Sequence, residues 1–422
     1  MNAPTESVSP GPSKPLAIID QKPWLVLVAA FLGWMFDGLE MGIFPLVARP
    51  ALQELLKVSN DAGVGQWMGY ITASFLIGAA LGGLAFGWLG DRIGRVRAMA
   101  LSILTYSLFT GLCYFATEAW HLGALRFIAA LGMGGEWSLG VALVMECWPE
   151  KHRPWLAAAI GAAANVGFLL IALVGRYIPR ENWRLVMLAG AVPALLTFFI
   201  RLFVPESQRW KESVKERVAR PLKEIFAPGV ASKTVLAICF SSVALIVTWG
   251  AVQWLPLWAD QMAGGRIPQA KADTQIASGF GAVVGCIIAP LLGGRLGRRP
   301  TYFLLCLVAM GLCAWLFRGV DEYGPLFLTL TCLVGASTAA FYGWLPLYLP
   351  ELFPTRVRAT GQGLSYNFGR ILAAVGALSM GHLMGFFDNS YAKAGAVISL
   401  MYVFGLVLIW FAPETKGKPL PE

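Results

Sequence analysis

The most regular feature of this sequence is a succession of long apolar blocks separated by short polar segments. Twelve blocks are present, most of them near the roughly 20 residues that a helix needs to cross the hydrocarbon core of a bilayer. They cover residues 24–47, 67–89, 98–116, 122–145, 155–174, 185–203, 234–257, 276–292, 302–317, 325–349, 359–384 and 394–411. Backbone polar groups find no water in lipid, so spanning segments must be helices or barrel strands, and blocks this long exclude strands. The pattern predicts an all-α membrane protein with twelve transmembrane helices.

Composition supports lipid as the solvent. Of the 422 residues, 57% are hydrophobic and 14% are charged, whereas about a quarter of a soluble domain is charged. The seven cysteines occur singly and without neighbouring histidines, which predicts neither a disulfide framework nor a zinc site. The net charge of +9 comes from short basic segments between apolar blocks, so it indicates membrane topology rather than nucleic-acid binding. The first block is too long for a signal peptide and ends without a small-residue cleavage site, so we expect a retained helix.

The distribution of basic residues predicts the orientation of the chain. With the N-terminus in the cytoplasm, 22 of the 33 Lys and Arg residues fall on the cytoplasmic side, nine fall outside, and two, Arg126 and Arg370, fall within predicted helices. The positive-inside rule therefore puts both termini in the cytoplasm of a multi-pass inner (plasma) membrane protein.

The longest connection, residues 205–233, divides the helices six and six. It carries seven Lys or Arg against four Glu, which is typical either of an amphipathic helix at the cytoplasmic surface or of a plain charged linker. The predicted organisation is a cytoplasmic tail (1–23), an N-terminal bundle (24–204), the linker (205–233), a C-terminal bundle (234–412) and a second cytoplasmic tail (413–422).

Three short segments recur in order, about half a chain apart. The pattern ExxPxxxR at residues 146–153 returns at 351–358, Pro-Glu-Ser at 205–207 returns as Pro-Glu-Thr at 413–415, and residues 89–95 return, less well, at 292–298. Three matches in register imply duplication of a six-helix unit. Duplicated halves are typical of transporters that rock two bundles about a central site.

All these motifs are predicted at the cytoplasmic ends of the helices. Their acids and arginines can form an ion-pair network that holds the bundles together in one state and breaks in the other; alternatively, they only set topology. The predicted gating residues are Gly87, Asp91, Arg92, Gly94, Arg95, Glu146, Arg153, Glu206, Glu351, Arg358 and Glu414.

Five motifs resemble a known family. GWLGDRIGRVR (87–97) is similar to the signature between the second and third helices of the major facilitator superfamily, and PESQRW (205–210) and PETKG (413–417) resemble sugar-porter motifs. RFIAALGMGGEW (126–137) and PELFPTRVRATGQGLSYNFGRI (350–371) resemble the proton symporters of sialate, lactate and related organic acids, with aromatic-acid symporters and organic-ion carriers close behind. The resemblance covers essentially the whole chain and implies two pseudo-symmetric six-helix bundles. Gly294 stands where the second signature usually has an acid, so we expect an asymmetric network carried mainly by the N-terminal half.

A few ionisable residues lie inside the predicted helices, where a charge costs about 2.5 to 3.5 kcal/mol on insertion scales. Asp37 lies roughly 20 Å into the first helix. The sugar-porter resemblance implies that it pairs with Arg126, and that protonation of Asp37 releases the pair and couples protons to transport; a permanent structural pair is the alternative. Glu40 is an alternative proton site or reaches the outer vestibule, and Glu136 either packs against glycines or relays protons.

Arg370 lies near mid-membrane in the eleventh predicted helix. Gln362, Tyr366 and Arg370 share one face of that helix, with Asn367 adjoining. A guanidinium suits a carboxylate, and similar organic-anion carriers place an arginine in this helix. We expect Arg370 to bind the substrate's carboxylate while the other three supply hydrogen bonds, unless Arg370 only balances the buried acids. The further pocket candidates are Trp249, Gln253, Tyr342 and Asn165, although aromatic residues also belt membrane interfaces and a lone amide can bond a neighbouring helix.

Together these features predict a proton-coupled symporter that imports a small organic anion, such as a mono- or aromatic carboxylate, by alternating access. A sugar or polyol symporter and an organic-ion exporter or exchanger are the alternatives. A membrane enzyme is disfavoured because the sequence contains no nucleophile motif, metal-ligand cluster or phosphate loop, and we expect no cofactor, no metal and a monomer.

Overall fold

The computed structural model describes residues 23–58, 62–175, 183–208, 210–212, 221–263, 266–267, 269–387 and 390–421. The predicted N-terminal tail lies outside these residues except at residue 23. The prediction of an amphipathic helix in the linker falls mainly on residues that are not described, since only the two ends of that connection are included.

The described residues of the first half of the chain form seven helices. They are α1 (Pro23–Leu56), α2 (Ala62–Ile93), α3 (Arg95–Leu112), α4 (Ala119–Cys147), α5 (Arg153–Gly175), α6 (Trp183–Ala189) and α7 (Ala194–Phe203). The sixth predicted block is thus two short helices joined by a turn that contains Pro193. A short helix in the linker, α8, covers Pro221–Glu224.

The second half repeats this arrangement. Its helices are α9 (Ala231–Gly250), α10 (Leu255–Ala263), α11 (Ala270–Leu296), α12 (Arg298–Gly319), α13 (Pro325–Tyr348), α14 (Arg358–Phe386), α15 (Tyr391–Ser399) and α16 (Met401–Leu408). A 3-10 turn, Val252–Trp254, connects α9 to α10.

The prediction of an all-α fold with twelve transmembrane helices in two pseudo-symmetric bundles is confirmed. In the described part of the chain, ten helices are long and apolar enough to cross a membrane. Several helices extend beyond their apolar blocks; α1, for example, continues to Leu56 and includes Glu54. A helix that leaves hydrocarbon can continue with polar side chains facing water, so an apolar block underestimates its length.

Corresponding helices make corresponding contacts. In the first bundle α2 packs on α4, and in the second α11 packs on α13. The bundles meet where α2 packs on α14 and where α5 packs on α11 and α13. At the centre of the molecule α4 of the first bundle packs on α14 of the second, and the candidate site lies there.

The two copies of the loop signature share one backbone feature. Gly94, between α2 and α3, has φ 108°, and Gly297, between α11 and α12, has φ 105°. A side chain is strained in this left-handed region, which explains a glycine at both positions. Each glycine also lies against a glutamate, Glu206 and Glu414 respectively.

Candidate functional site

One end of the molecule carries both copies of the recurring motifs, and we call it the motif face, defined by Asp91, Arg95, Glu146, Glu351 and Arg358. Arg95 is fully buried and donates to Asp91 at 2.5 Å and to Glu146 at 3.2 Å. Arg358 of α14 also donates to Glu146, at 3.1 Å. Glu146 therefore lies between one arginine from each bundle, which is the kind of network that the motifs predicted.

Three further hydrogen bonds cross between the bundles here. The Oδ2 atom of Asp91 accepts from the backbone N–H of Thr360 at 2.8 Å and from its hydroxyl at 2.5 Å. Arg95 donates to the backbone carbonyl of Thr355 at 2.8 Å. The sequence patterns did not identify either threonine, since neither side chain is charged and neither occupies a matched position of a recurring motif.

The second copy of the motif is built differently. Arg298 donates to both carboxylate oxygens of Glu351, at 3.0 and 2.6 Å, and Arg153 of the first bundle approaches Glu351 at 3.7 Å. Gly294, which occupies the position of Asp91, lies against the ring of Pro154. The acid that bonds across the interface in the first copy is thus replaced by an apolar contact in the second, as the departure at Gly294 predicted.

Glu206 and Glu414 occupy equivalent positions and cap equivalent helices. Glu206 accepts from the backbone N–H groups of Arg95 and Val96 at the start of α3, at 2.9 and 3.1 Å. Glu414 accepts from those of Arg298 and Arg299 at the start of α12, at 3.0 and 3.1 Å. Carboxylates are favourable at such helix N-termini.

The two caps differ in how their surroundings affect ionisation. Burial raises the pKa of Glu206, and this effect outweighs the lowering by Arg95 and the backbone N–H groups. Burial also acts to raise the pKa of Glu414, but four backbone N–H donors act against it and the net pKa is lowered. The difference follows from the greater burial of Glu206.

Two further predicted gating residues, Gly87 and Arg92, differ in whether they contact the other bundle. Gly87 lies against the backbone of Ala359 across the interface, where a side chain would be crowded. Arg92, in contrast, is exposed and lies over the ring of Trp88 at 4.7 Å, so the structure does not include it in the network.

The segment 413–421 crosses the motif face and touches both bundles. The carbonyl of Pro421 accepts from Arg358 at 2.9 Å and from the backbone of Thr355 at 3.2 Å. On the first bundle, Arg153 donates to the carbonyl of Lys418 at 3.2 Å, and the N–H of Leu420 donates to Glu150 at 3.3 Å. The side chain of Leu420 is buried. We name this segment the strap.

At the centre of the molecule, Arg126 pairs with Glu40. Its Nη1 donates to Glu40 at 2.5 Å, and Thr110 donates to the same carboxylate oxygen at 3.0 Å. The guanidinium also lies 4.9 Å from the ring of Phe44 and 4.7 Å from that of Phe75. The expected pairing of Arg126 with Asp37 is therefore replaced by one with Glu40, three residues further along α1.

Asp37 lies beside Glu136 of α4 instead. The two carboxyl groups are within hydrogen-bonding range of each other, and both side chains are buried. Among the described residues, none donates a hydrogen bond to either carboxyl group. A bond between the two needs a proton on one of them, because two ionised carboxylates side by side repel.

Gly33 makes this arrangement possible. It lies on α1 one turn before Asp37, and a Cβ atom there would overlap the carboxyl group of Glu136. The expectation that Glu136 packs against glycine is therefore observed together with its contact to Asp37.

Arg370 is the cation that acts electrostatically on Asp37. It is 3% exposed, donates to the Oδ1 atom of Asn367 at 2.8 Å, and lies 5.1 Å over the ring of Tyr366. Asn367 in turn donates to the carbonyl of Gly134 on α4 at 3.1 Å. The predicted face of α14 thus points at the first bundle, with its arginine near the carboxyl pair.

Aromatic rings surround these charges. Trp137 of α4 stacks on Tyr366 with centroids 4.3 Å apart, Trp34 lies 6.3 Å from Trp137, and Tyr342 of α13 lies edge-on to Tyr366 at 6.4 Å. The hydroxyl of Tyr342 and the indole N–H of Trp34 are buried without a hydrogen-bond partner among the described residues. Trp34 and Trp137 were not identified from the sequence, where a tryptophan in an apolar helix gives no signal.

The other predicted pocket residues are spread more widely. The amide of Gln362 is buried, and both its oxygen and its nitrogen lack a partner in the described part of the chain. Asn165 of α5 donates to the thiol of Cys286 on α11 at 3.3 Å and so bonds a neighbouring helix. Trp249 is half-buried, and Gln253 in the 3-10 turn after α9 is exposed. The buried central site therefore contains Gln362 but not Gln253.

Comparisons with known proteins concern the family and the fold. A family model described as Major Facilitator Superfamily matches residues 24–377. A "Probable 4-methylmuconolactone transporter" of Cupriavidus pinatubonensis is 30% identical over 403 residues, which cover 92% of this chain and 90% of that protein. The "Cis,cis-muconate transport protein" of Acinetobacter baylyi is 27% identical over 418 residues, which cover 94% of this chain and 95% of that protein. The solved structure of the "proton:xylose symporter XylE" matches with a TM-score of 0.80 at 18% identity, covering 94% of this chain and 97% of that one, a likeness of fold alone.

Proposed function

The chain belongs to the major facilitator superfamily and is a membrane transporter, not an enzyme, and on this premise we propose that it is a proton-coupled secondary symporter that imports a small organic anion by alternating access. Mono- and aromatic carboxylates are the substrate class that the site favours. Two relatives with names that refer to muconate and a muconolactone support an organic acid.

Arg370 is the observation that carries this proposal. A buried arginine within a bilayer is costly and stays charged, so it needs an anionic partner. Its planar donors can bind a carboxylate in two places, and its neighbour Asn367 holds it in position. Gln362 and Tyr342 have buried polar atoms available for hydrogen bonds to the remainder of the substrate.

We assign proton coupling to the Asp37–Glu136 pair. A proton bound between the two carboxyl groups relieves their repulsion, and its loss leaves Asp37 facing Arg370. A substrate carboxylate at Arg370 competes with Asp37 for the same cation, so substrate binding favours protonation of the pair. The Glu40–Arg126 pair holds α1 and α4 together and is structural in this scheme.

The motif face is cytoplasmic in this proposal, as are both termini, and the protein lies in the inner membrane as a monomer. The bundles 24–204 and 234–412 rock about the central site, with 205–233 as the connection between them. Each proton that enters contributes the energy of the pH difference, and where more protons than substrate charges cross, each net charge adds about 2.3 kcal/mol per 100 mV.

Proton flux in proteoliposomes tests the proposal. Muconate is suitable because its two charges limit passive permeation, and its addition is expected to drive proton entry in protein-containing vesicles only. Arg370→Ala should abolish this flux, whereas Arg184→Ala, which removes an arginine from a pair with Glu54, should retain it. If xylose drives flux while no carboxylate does, the organic-anion proposal is wrong.

A further inference from the structure

Trp137 and Tyr366 stack face to face although they belong to different bundles. Their ring centroids are 4.3 Å apart and their planes are inclined by 20°. Trp137 is on α4 and Tyr366 on α14. The other stacked pair among the described residues, Phe341 and Tyr402, lies entirely within the second bundle.

The stack lies next to two charged residues of the central site. Trp137 directly follows Glu136 in the chain, and the guanidinium of Arg370 lies 5.1 Å over the ring of Tyr366. Trp34 and Tyr342 flank the two rings, and both stacked side chains are almost completely buried. A flat aromatic surface is thus available from each bundle, with the cation of Arg370 over the ring of Tyr366.

These contacts have a consequence for movement. When two bundles rock apart, contacts across their interface must break, so the Trp137–Tyr366 stack cannot persist in every state. Separated rings would each expose a face that had been buried. A flat molecule inserted between them restores stacking on both sides, whereas a puckered molecule of the same size contacts each ring at only a few atoms.

We propose that Trp137 and Tyr366 form an aromatic clamp that receives a planar, conjugated carboxylate between their faces, with its carboxylate at Arg370. This inference rests on the proposed organic-anion function and narrows its substrate class. The clamp joins both bundles through the substrate, and it puts the substrate next to the Asp37–Glu136 pair. The planar shape of the acid, and not only its charge, becomes the basis of selection.

A matched pair of ligands tests the clamp. Benzoate and cyclohexanecarboxylate have the same charge and the same number of ring atoms, but only benzoate is planar. Their affinities for the purified full-length chain can be measured by calorimetry. We expect benzoate to bind about tenfold more tightly, since two new ring stacks form only with the planar acid.

Variants then assign the preference to the clamp. Trp137→Leu and Tyr366→Leu should bring the affinity ratio of the two acids close to one, mainly by weakening benzoate. Trp137→Phe, which retains a flat face, should recover most of the preference. Tyr402→Leu removes a ring from the other stacked pair and should leave the ratio at its original value.

The outcomes separate this inference from the function on which it rests. Equal binding of both acids by the unmodified protein overturns the clamp and leaves the organic-anion function intact, as does a preference for benzoate that survives in both leucine variants. Binding of neither acid, nor of any other carboxylate, overturns the organic-anion function and the clamp with it.

Discussion

The Oδ2 atom of Asp91 accepts hydrogen bonds from both the backbone N–H and the hydroxyl of Thr360, at 2.8 and 2.5 Å, and so joins α2 to α14 across the bundle interface. The Oδ1 atom of the same carboxylate accepts from Arg95 within the first bundle. One side chain therefore connects the internal network of one bundle to the backbone of the other. These bonds must break before the motif face can open.

Asp91→Asn should shift the protein toward states that are open at the motif face. The variant loses the charge and one of two acceptor oxygens, and hydrogen bonds to charged groups contribute about 1.5 to 3 kcal/mol each. We expect the ratio of open to closed molecules at the motif face to rise tenfold or more. Spin labels at Arg97 and Arg295, which are exposed in different bundles, report the opening as a longer distance.

Glu206→Gln is the control for this shift. Glu206 accepts from the backbone at the start of α3 and so lies in the same region, but its hydrogen bonds do not cross between bundles. In Glu206→Gln the distance between the spin labels at Arg97 and Arg295 should match the distance in the parent protein. Equal opening in both variants would show that charge loss at this end, and not the Thr360 contact, controls the state.

The Glu40–Arg126 pair should behave as a structural unit in thermal unfolding. Removal of one member of a buried pair leaves an uncompensated charge, which costs about 3 to 5 kcal/mol. Arg126→Gln should therefore destabilise the protein more than the double variant Glu40→Gln/Arg126→Gln, in which no charge remains. If the loss of stability in the double variant equals the sum of the losses in the two single variants, the pairing is contradicted.

Gly33→Ala should uncouple protons from transport without unfolding the protein. The added methyl group would meet the end of the Glu136 side chain, which can move aside, so we expect displacement from Asp37 and not loss of the fold. Proton-driven accumulation should fall about tenfold or more, while exchange of substrate across the membrane persists. Measurements of uptake with and without a pH gradient distinguish the two.

Gly311→Ala is the matched control for Gly33→Ala. Gly311 also lies inside a membrane helix, α12, but apart from its own stretch of helix no atom of the described residues lies within 4 Å of the position that its Cβ would occupy. This variant should accumulate substrate at the level of the parent. If Gly33→Ala does the same, the proximity of Glu136 to Asp37 has no function in coupling.

The fold and the motif face could be predicted largely from sequence because the bilayer allows few alternatives. Apolar blocks of this length can only be helices, and three motifs in register required a duplicated unit. The repeat also identified Gly294 as the position at which the second copy departs from the first, and in the structure this position contacts Pro154. The partners Thr355 and Thr360 could not be predicted, because one contributes a backbone carbonyl and the other a neutral side chain.

The pairing of charges at the centre depended on information that a sequence pattern does not contain. Asp37 and Glu40 are three residues apart and point about 60° apart around α1. Which of them meets Arg126 depends on the rotation and depth of α1 against α4. Gly33 leaves room for Glu136 beside Asp37, and so favours Glu40 as the partner of Arg126. In the sequence Gly33 cannot be distinguished from the many other glycines of the chain.

Acidification should reveal opposite contributions from the two helix caps. The lowered pKa of Glu414 stabilises the fold above its ordinary value of 4.5, and this stabilisation is lost as the pH falls below that value. The raised pKa of Glu206 has the opposite effect. Its contribution to the stability of the fold is present below pH 4.5 and is lost as the pH rises through the pKa of Glu206 in the folded state.

Unfolding temperatures measured from pH 4 to pH 7 test these signs. Glu414→Gln should lose less stability than the parent between pH 6 and pH 4, and Glu206→Gln should lose more. Because Glu414 is less buried than Glu206, solvent screening should make its effect the smaller of the two. Parallel pH profiles for the parent and both variants would contradict the difference between the caps.

The strap, segment 413–421, should stabilise the closed motif face, because it is bonded to both bundles in this state. Leu420 is its buried anchor, and its N–H donates to Glu150 of the first bundle. Leu420→Ala removes apolar surface from the core and should release the strap, since deletion of buried methyl groups leaves a cavity and weakens packing. We expect faster hydrogen exchange in residues 415–421 and a longer distance between labels at Arg97 and Arg295. Lys418→Ala is the control, because Arg153 donates to the backbone carbonyl of Lys418 and the side chain of Lys418 is exposed. If Leu420→Ala gives faster exchange without a change in label distance, the strap lies on the motif face but does not hold it closed.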